Sequence, residues 1–280
     1  MWTYRHSESR EERAVKVVRN CDISRTRNLA LHEVSLCRRV QHCRHILRLF
    51  EYFHEGDVIY VVFEKVAGGD LFELLLQQHD SVGGPAALSV PDVVSITHGV
   101  SAGLAALHGQ GIAHRDIKSE NILLCERSAS DRPWTAKICD FNLSSDRPEL
   151  FGLAGSRDYM APEVVANKFL LPGESKKAYS KSCDLWSLGV LVYEMMFGLR
   201  PFDVVCGEER CEEALQTGGS CQKCDDLKYT SILYVQVQYP ARTEEPSLRA
   251  ISLLKKLLVF EADDRISADA VAEHPFLCDV

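Results

Sequence analysis

The sequence predicts an α+β chain built as two lobes, a small strand-rich part over residues 1–66 and a mainly helical part over 67–280. Three observations carry this reading. β-Branched and aromatic runs concentrate before Gly68-Gly69, helix-length segments dominate after it, and Val66–Asp70 breaks the pattern between them. A chain of 280 residues is long enough for two lobes to share a core.

The elements follow in order. Residues 13–18 (Arg-Ala-Val-Lys-Val-Val) read as a strand, with one lysine in a β-branched run. Residues 24–41 have helical spacing, with Leu29, Glu33, Leu36 and Val40 near one face. Ile46–Phe53 and Val58–Glu64 read as strands joined by the turn Glu55-Gly56-Asp57. Asp70–Gln78 reads as a short helix. Pro91–His108 reads as a longer one, with Ser89 as its cap and Pro91 in its first turn. Short strands are predicted at Ile122–Cys125 and Thr135–Cys139. Further helices are predicted at Cys183–Phe197, Ser247–Phe260 and Ser267–Ala272, the last two opening on a serine that can accept from the first turn.

Composition narrows the function classes. Hydrophobic residues make up 46% and charged residues 26%, as in an ordinary globular chain. The net charge of −8 argues against a nucleic-acid partner, which calls for a basic face. No membrane partner is expected: no run reads as long enough to span a bilayer, and Leu185–Phe197, read as the most apolar, is short and carries Glu194. Met1–Arg13 is polar and charged, unlike a secretory leader. Eleven cysteines, an odd count without a leader, point to reduced thiols. The expected location is the cytoplasm, with the nucleus as a second compartment.

Four short motifs carry chemistry. Ala14-Val15-Lys16 is followed by Glu33 on the next helix. His114-Arg115-Asp116-Ile117-Lys118-Ser119-Glu120-Asn121, Asp140-Phe141-Asn142 and Ala161-Pro162-Glu163 come after it in that order. Each alone is weak, but the order, spacing and strand, helix and loop contexts are specific. Over nearly the whole chain this set resembles the protein kinase family. The resemblance implies a bilobal protein-kinase fold, with residues 1–66 as a truncated strand-rich N-lobe and 67–280 as the C-lobe. It also implies ATP and Mg²⁺ as cofactors. Asp116 would take the proton of the substrate hydroxyl, and Lys118 would reach the transferring phosphate. Asn121 and Asp140 would hold Mg²⁺ through oxygen. Lys16, oriented by Glu33, would hold the nucleotide phosphates. Phe63 would be the gatekeeper, and Glu64, Lys65 and Val66 the hinge. Ala14 and Leu123 would sandwich adenine, and Asp70 would reach the ribose. His114 and Phe141 would pack between the lobes, Arg265 would pair with Glu163, and Asp184 would hold the catalytic loop. Lys118 and Ser156 point to serine or threonine hydroxyls on protein substrates.

Two details resemble the MAP kinase-interacting kinases within the calcium/calmodulin-dependent kinase group. Cys206, Cys211, Cys221 and Cys224 form two pairs within a cysteine-rich insertion over residues 203–228. Four thiolates can hold structural Zn²⁺ tetrahedrally at about 2.3 Å; the alternative is four reduced surface thiols. Asp140-Phe141-Asn142 lacks the usual final glycine, as that family also does with aspartate, and there the position favours a flipped-out, inactive loop. Asparagine tolerates positive φ, so both loop states stay open. The resemblance implies MAP kinase and translation-initiation partners, engaged through segments outside this chain. The family's threonine-proline phosphosite is replaced by Phe151-Gly152-Leu153, leaving Ser144 and Ser145 as substitutes in a flexible loop. No G-x-G-x-x-G precedes Lys16, and the fifteen residues before it are too few for two strands and a loop. The first strands and the glycine-rich loop are therefore expected to be missing. That supports a second reading, a nucleotide-binding pseudokinase or scaffold with little activity.

Overall fold

The computed structural model describes residues 2–5, 11–20, 24–83, 86–125, 133–203, 222–240 and 245–278. The first lobe is a four-stranded antiparallel sheet with one helix. Its strands are β1 (Trp2–Arg5), β2 (Glu12–Val18), β3 (Leu49–Glu55) and β4 (Val58–Glu64), in the order β1-β2-β4-β3. Strand β1 pairs antiparallel with the Lys16 strand, so the few residues before Lys16 do hold one strand. The register sets Lys16 opposite Val61 and Ala14 opposite Phe63. Strand β3 starts at Leu49 rather than Ile46, and the ladder is irregular between Leu49 and Glu51.

Helix α1 (Ser24–Val40) covers this sheet. Its buried stripe is Ala30, Glu33, Val34, Leu36, Cys37 and Val40. Leu29, expected on that face, is 56% exposed. Leu29 shares the face of Glu33, Leu36 and Val40, but the buried stripe begins only at Ala30, after the exposed N-terminal turns of the helix. The loop after α1 is stitched to the second lobe. Leu47 N–H donates to Ile138 O at 2.9 Å, Ile138 N–H donates to His45 O at 2.8 Å, and His45 Nδ1 lies 2.9 Å from Ala136 O.

The second lobe is helical. It contains α2 (Leu71–Val82), α3 (Val90–Gly109), α4 (Pro162–Val165), α5 (Cys183–Phe197), α6 (Gln222–Tyr234), α7 (Glu245–Leu257), α8 (Ala268–Ala272) and α9 (Pro275–Cys278). One small hairpin, β5 (Ile122–Leu124) with β6 (Ala136–Ile138), lies at its top. Asp70, Ser89 and Ser267 cap α2, α3 and α8 by accepting from the first turn. Helix α7 begins at Glu245, so Ser247 falls within its first turn. Helix α5 is buried nearly all round, and α3 buries Val93, Ile96, Val100, Leu104 and Leu107 completely. By length and composition α3 is apolar enough to cross a bilayer, which corrects the expectation that no run has that property. Here α3 packs against α5, α8 and β6. Within the cysteine-rich insertion expected over residues 203–228, α6 begins at Gln222 and carries Cys224, which is buried. Cys206, Cys211 and Cys221 lie outside the described residues.

Candidate active site

The sequence-predicted residues meet at the seam between the lobes. Lys16, Glu33, Phe63, Asp70, Asn121, Leu123 and Asp140 line one cleft of about 460 Å³, within the range of small-molecule sites. A larger depression of about 850 Å³ lies against Arg38, Arg44, Arg48 and Lys137; of the predicted site residues it is lined by Glu64 alone. Ala14 is buried on β2 opposite Phe63, and Val66 packs partly buried against the core.

Strand β2 and helix α1 aim an ion pair into this cleft. Lys16 Nζ donates to Glu33 at 2.7 and 3.0 Å, and the Glu33 side chain is 3% exposed. Burial disfavours the Lys16 ammonium, yet Glu33 and Asp140 outweigh it and hold its pKa above the ordinary lysine value. Burial pushes Glu33 up despite the ammonium beside it. Asp140 Oδ1 also accepts from Lys16 at 3.2 Å. Phe141 is buried and meets His114 edge-on at 5.3 Å between ring centres. Of the two loop states left open by sequence, this is the inward one. Asp140, not Asn142, carries the positive φ, at 62°. Asn142 Oδ1 instead accepts from Lys16 at 2.9 Å, a contact no motif announces.

The catalytic loop is held from below. Asp184 is fully buried and accepts from the backbone N–H of His114 at 2.8 Å and of Arg115 at 2.7 Å. His108 Nε2 lies 2.9 Å from it. Burial alone would raise the Asp184 pKa, but these partners hold it below the ordinary aspartate value. They also fix Arg115 at φ 70°, a conformation an L residue keeps only when its surroundings over-determine it.

Asp116 is the most fully supported acid in the loop. Its Oδ1 accepts from both the N–H and the hydroxyl of Ser156 at 2.8 Å, and its Oδ2 accepts from Asn121 Nδ2 at 3.1 Å. Lys118 Nζ lies 3.9 Å away. Ser156 reaches Asp116 because Gly155, at φ 108°, lets the chain approach closely; a Cβ there would sit 2.5 Å from Arg115 O.

Further contacts refine the expected roles. Asp70 spends Oδ1 on the Glu73 N–H at 2.9 Å. The Glu64 side chain accepts from Lys137 and from the Arg48 N–H, both at 2.7 Å, which braces the strand end. Arg265 donates two bonds to Glu163 at 2.6 and 2.7 Å, as the sequence suggested. Ser144 and Ser145 were expected in a flexible loop but are buried, and Ser145 pairs through its backbone with Ala113. Arg115 donates to the Tyr179 hydroxyl at 2.6 Å. Among the described residues no group of three or more His, Cys, Asp or Glu could hold a metal ion.

Comparison with known proteins agrees with this geometry. The family described as "Protein kinase domain" matches residues 2–277. MAP kinase-interacting serine/threonine-protein kinase 2 of Xenopus laevis is 36% identical over 279 residues, covering 95% of this chain and 56% of the relative. MAP kinase-interacting serine/threonine-protein kinase 1 of the same species is 36% identical, covering 94% of this chain and 62% of the relative. The Caenorhabditis elegans kinase mnk-1 is 32% identical over 294 residues, covering 98% of this chain and 39% of the relative. The chain thus spans less than two thirds of the length of these relatives. With the profile matched over almost every residue, the chain belongs to the protein kinase domain family.

Proposed function

We propose that this chain transfers the γ-phosphoryl group of ATP to serine and threonine hydroxyls of protein substrates. One observation carries the reading: Lys16, paired with Glu33, meets Asp140 in a cleft also lined by Asn121, whose amide reaches Asp116. Phosphoryl transfer has a loose transition state, so a protein contributes position and charge more than covalent chemistry. Lys16 holds the phosphates by charge. Asp116, fixed by Ser156 and Asn121, orients the incoming hydroxyl and takes its proton. Lys118, beside Asp116, neutralises the transferring group. Phe63, Leu123 and Ala14 offer apolar surface to the base, with the backbone of Glu64 and Val66 beside it.

The residues present fit magnesium. Asn121 directs its amide hydrogens to Asp116 O at 2.8 Å and to Asp116 Oδ2 at 3.1 Å, which leaves its carbonyl oxygen for a cation. Asp140 adds a carboxylate, and oxygen donors suit this ion. Magnesium bound there neutralises phosphate charge. Such a complete set does not favour the pseudokinase alternative. In the assay, purified chain with radiolabelled ATP, Mg²⁺ and a mixed protein substrate is expected to yield phosphoserine and phosphothreonine. No transfer, or transfer to tyrosine alone, rejects the proposal.

Three finer readings rest on the likeness to the MAP kinase-interacting kinases. A MAP kinase is a partner, translation initiation is the process served, and the compartment is cytoplasmic or nuclear. The paired spacing of Cys206, Cys211, Cys221 and Cys224 is the ground for a further proposal, structural zinc; Cys224 alone of the four lies among the described residues. Elemental analysis of purified protein is expected to give about one zinc per chain, and less than roughly a tenth of an equivalent removes the site.

A further inference from the structure

Lys16 is offered more oxygens than it has protons. Its Nζ lies 2.7 and 3.0 Å from the two Glu33 oxygens, 3.2 Å from Asp140 Oδ1 and 2.9 Å from Asn142 Oδ1. An ammonium has three N–H donors. Four acceptors therefore share three protons, and no proton is left for a phosphate. A nucleotide can engage Lys16 only when one of these oxygens gives way.

The three side chains differ in how firmly they are held. Glu33 is charged in its pair with Lys16 and nearly fully buried. Asp140 is charged and belongs to the oxygen set that suits a cation. Asn142 is neutral and exposed, and a neutral acceptor binds an ammonium more weakly than a carboxylate does. It is the first to leave. Its backbone does not force it there. It occupies the turn closed by Ser144 N–H on Phe141 O at 3.1 Å, without positive φ. Glycine at this position would have nothing to offer Lys16.

We propose that Asn142 is a displaceable plug on Lys16, competing with the nucleotide phosphates and so setting the ATP affinity of this domain. This rests on reading the cleft as an ATP site. The mechanism differs from a flip of the loop, because Asp140 and Phe141 stay inward and only one exposed amide is exchanged for a phosphate oxygen.

The experiment compares two ligands across three proteins. A non-hydrolysable ATP analogue with Mg²⁺, and adenosine, are titrated by calorimetry into the wild type, Asn142→Gly and Asn142→Ala. Both variants are expected to bind the analogue about three- to tenfold more tightly, the scale of one net hydrogen bond. Adenosine, which carries no phosphate, is expected to bind all three alike. The side chain is exposed, so the melting transitions stay together; the alanine variant controls for the added flexibility of glycine. An unchanged ratio of analogue to adenosine affinity in Asn142→Ala overturns the plug, as does a parallel shift of both ligands, the mark of loop movement. Failure of the wild type and both variants to bind either ligand instead rejects the ATP site itself, and the plug with it.

Discussion

Asp116→Ala is expected to lower phosphoryl transfer by about 10³-fold while changing ATP affinity less than about threefold, since a positioned base contributes roughly 10²–10⁴ in rate. The carboxylate has two tasks on two oxygens. Oδ1 is committed to the Ser156 N–H and hydroxyl, and Oδ2 to Asn121 at 3.1 Å. Oδ2, with its single long bond, is the atom that can turn to a substrate hydroxyl. Alanine removes the proposed base and frees both Ser156 and Asn121, so the segment around Ser156 and the proposed metal ligand lose a shared anchor. The partners of Lys16 are Glu33, Asp140 and Asn142 rather than Asp116, so the proposed phosphate contact is kept. Single-turnover transfer and a nucleotide titration on the same preparations separate the two effects. Transfer within tenfold of wild type would remove Asp116 from the mechanism.

Asp184→Ala is expected to destabilise the domain by about 3–5 kcal/mol, because it strands donors in a buried place rather than deleting one exposed contact. The His114 and Arg115 N–H groups and His108 all lose their acceptor. Arg115 would then relax from φ 70°, carrying Asp116 with it. For a chain of this size the melting temperature should fall by roughly 10 °C. The pH dependence has a definite sign. The Asp184 pKa is depressed in the fold, so the unfolded chain binds the proton more readily and stability rises with pH. The contribution is complete above the ordinary aspartate value, about 4, and is lost as pH falls through the lower folded value. Denaturant titrations should show the gap between wild type and Asp184→Asn widest near neutrality and closing in acid. A gap independent of pH would assign the effect to packing alone.

The site was legible wherever chemistry dictates residue type. Lys16, Glu33, Asp116, Asn121 and Asp140 could be placed because their motifs, in that order, resemble those of protein kinases, and transfer to a hydroxyl explains why a cation, oxygen ligands and a base are needed. Arg265 with Glu163, and Asp184 beneath the loop, were legible through the same pattern. Other features had no such signal. Strand β1 is only four residues long and owes its strand to pairing with β2, which no local periodicity reveals. Helix α6 has a polar sequence without an apolar stripe, and the cysteines before it and in its first turn drew attention to metal spacing instead. In α1 the spacing placed Glu33, Leu36 and Val40 on the buried face correctly, but periodicity does not say where along the helix burial starts, and Leu29 lies before that point. The Asn142 contact depends on where a turn delivers one amide, and residue type alone does not encode that.

The stitching of His45 and Leu47 to Ala136 and Ile138 makes the base of helix α1 a fulcrum. Glu33 lies seven residues before Val40, a lever arm of about 10 Å, so a tilt of roughly 20° about that end sweeps its carboxylate through about 3–4 Å. That travel exceeds what the 2.7 Å contact with Lys16 can survive. A force applied to the far end of the helix can therefore part Glu33 from Lys16 while the anchored end stays still.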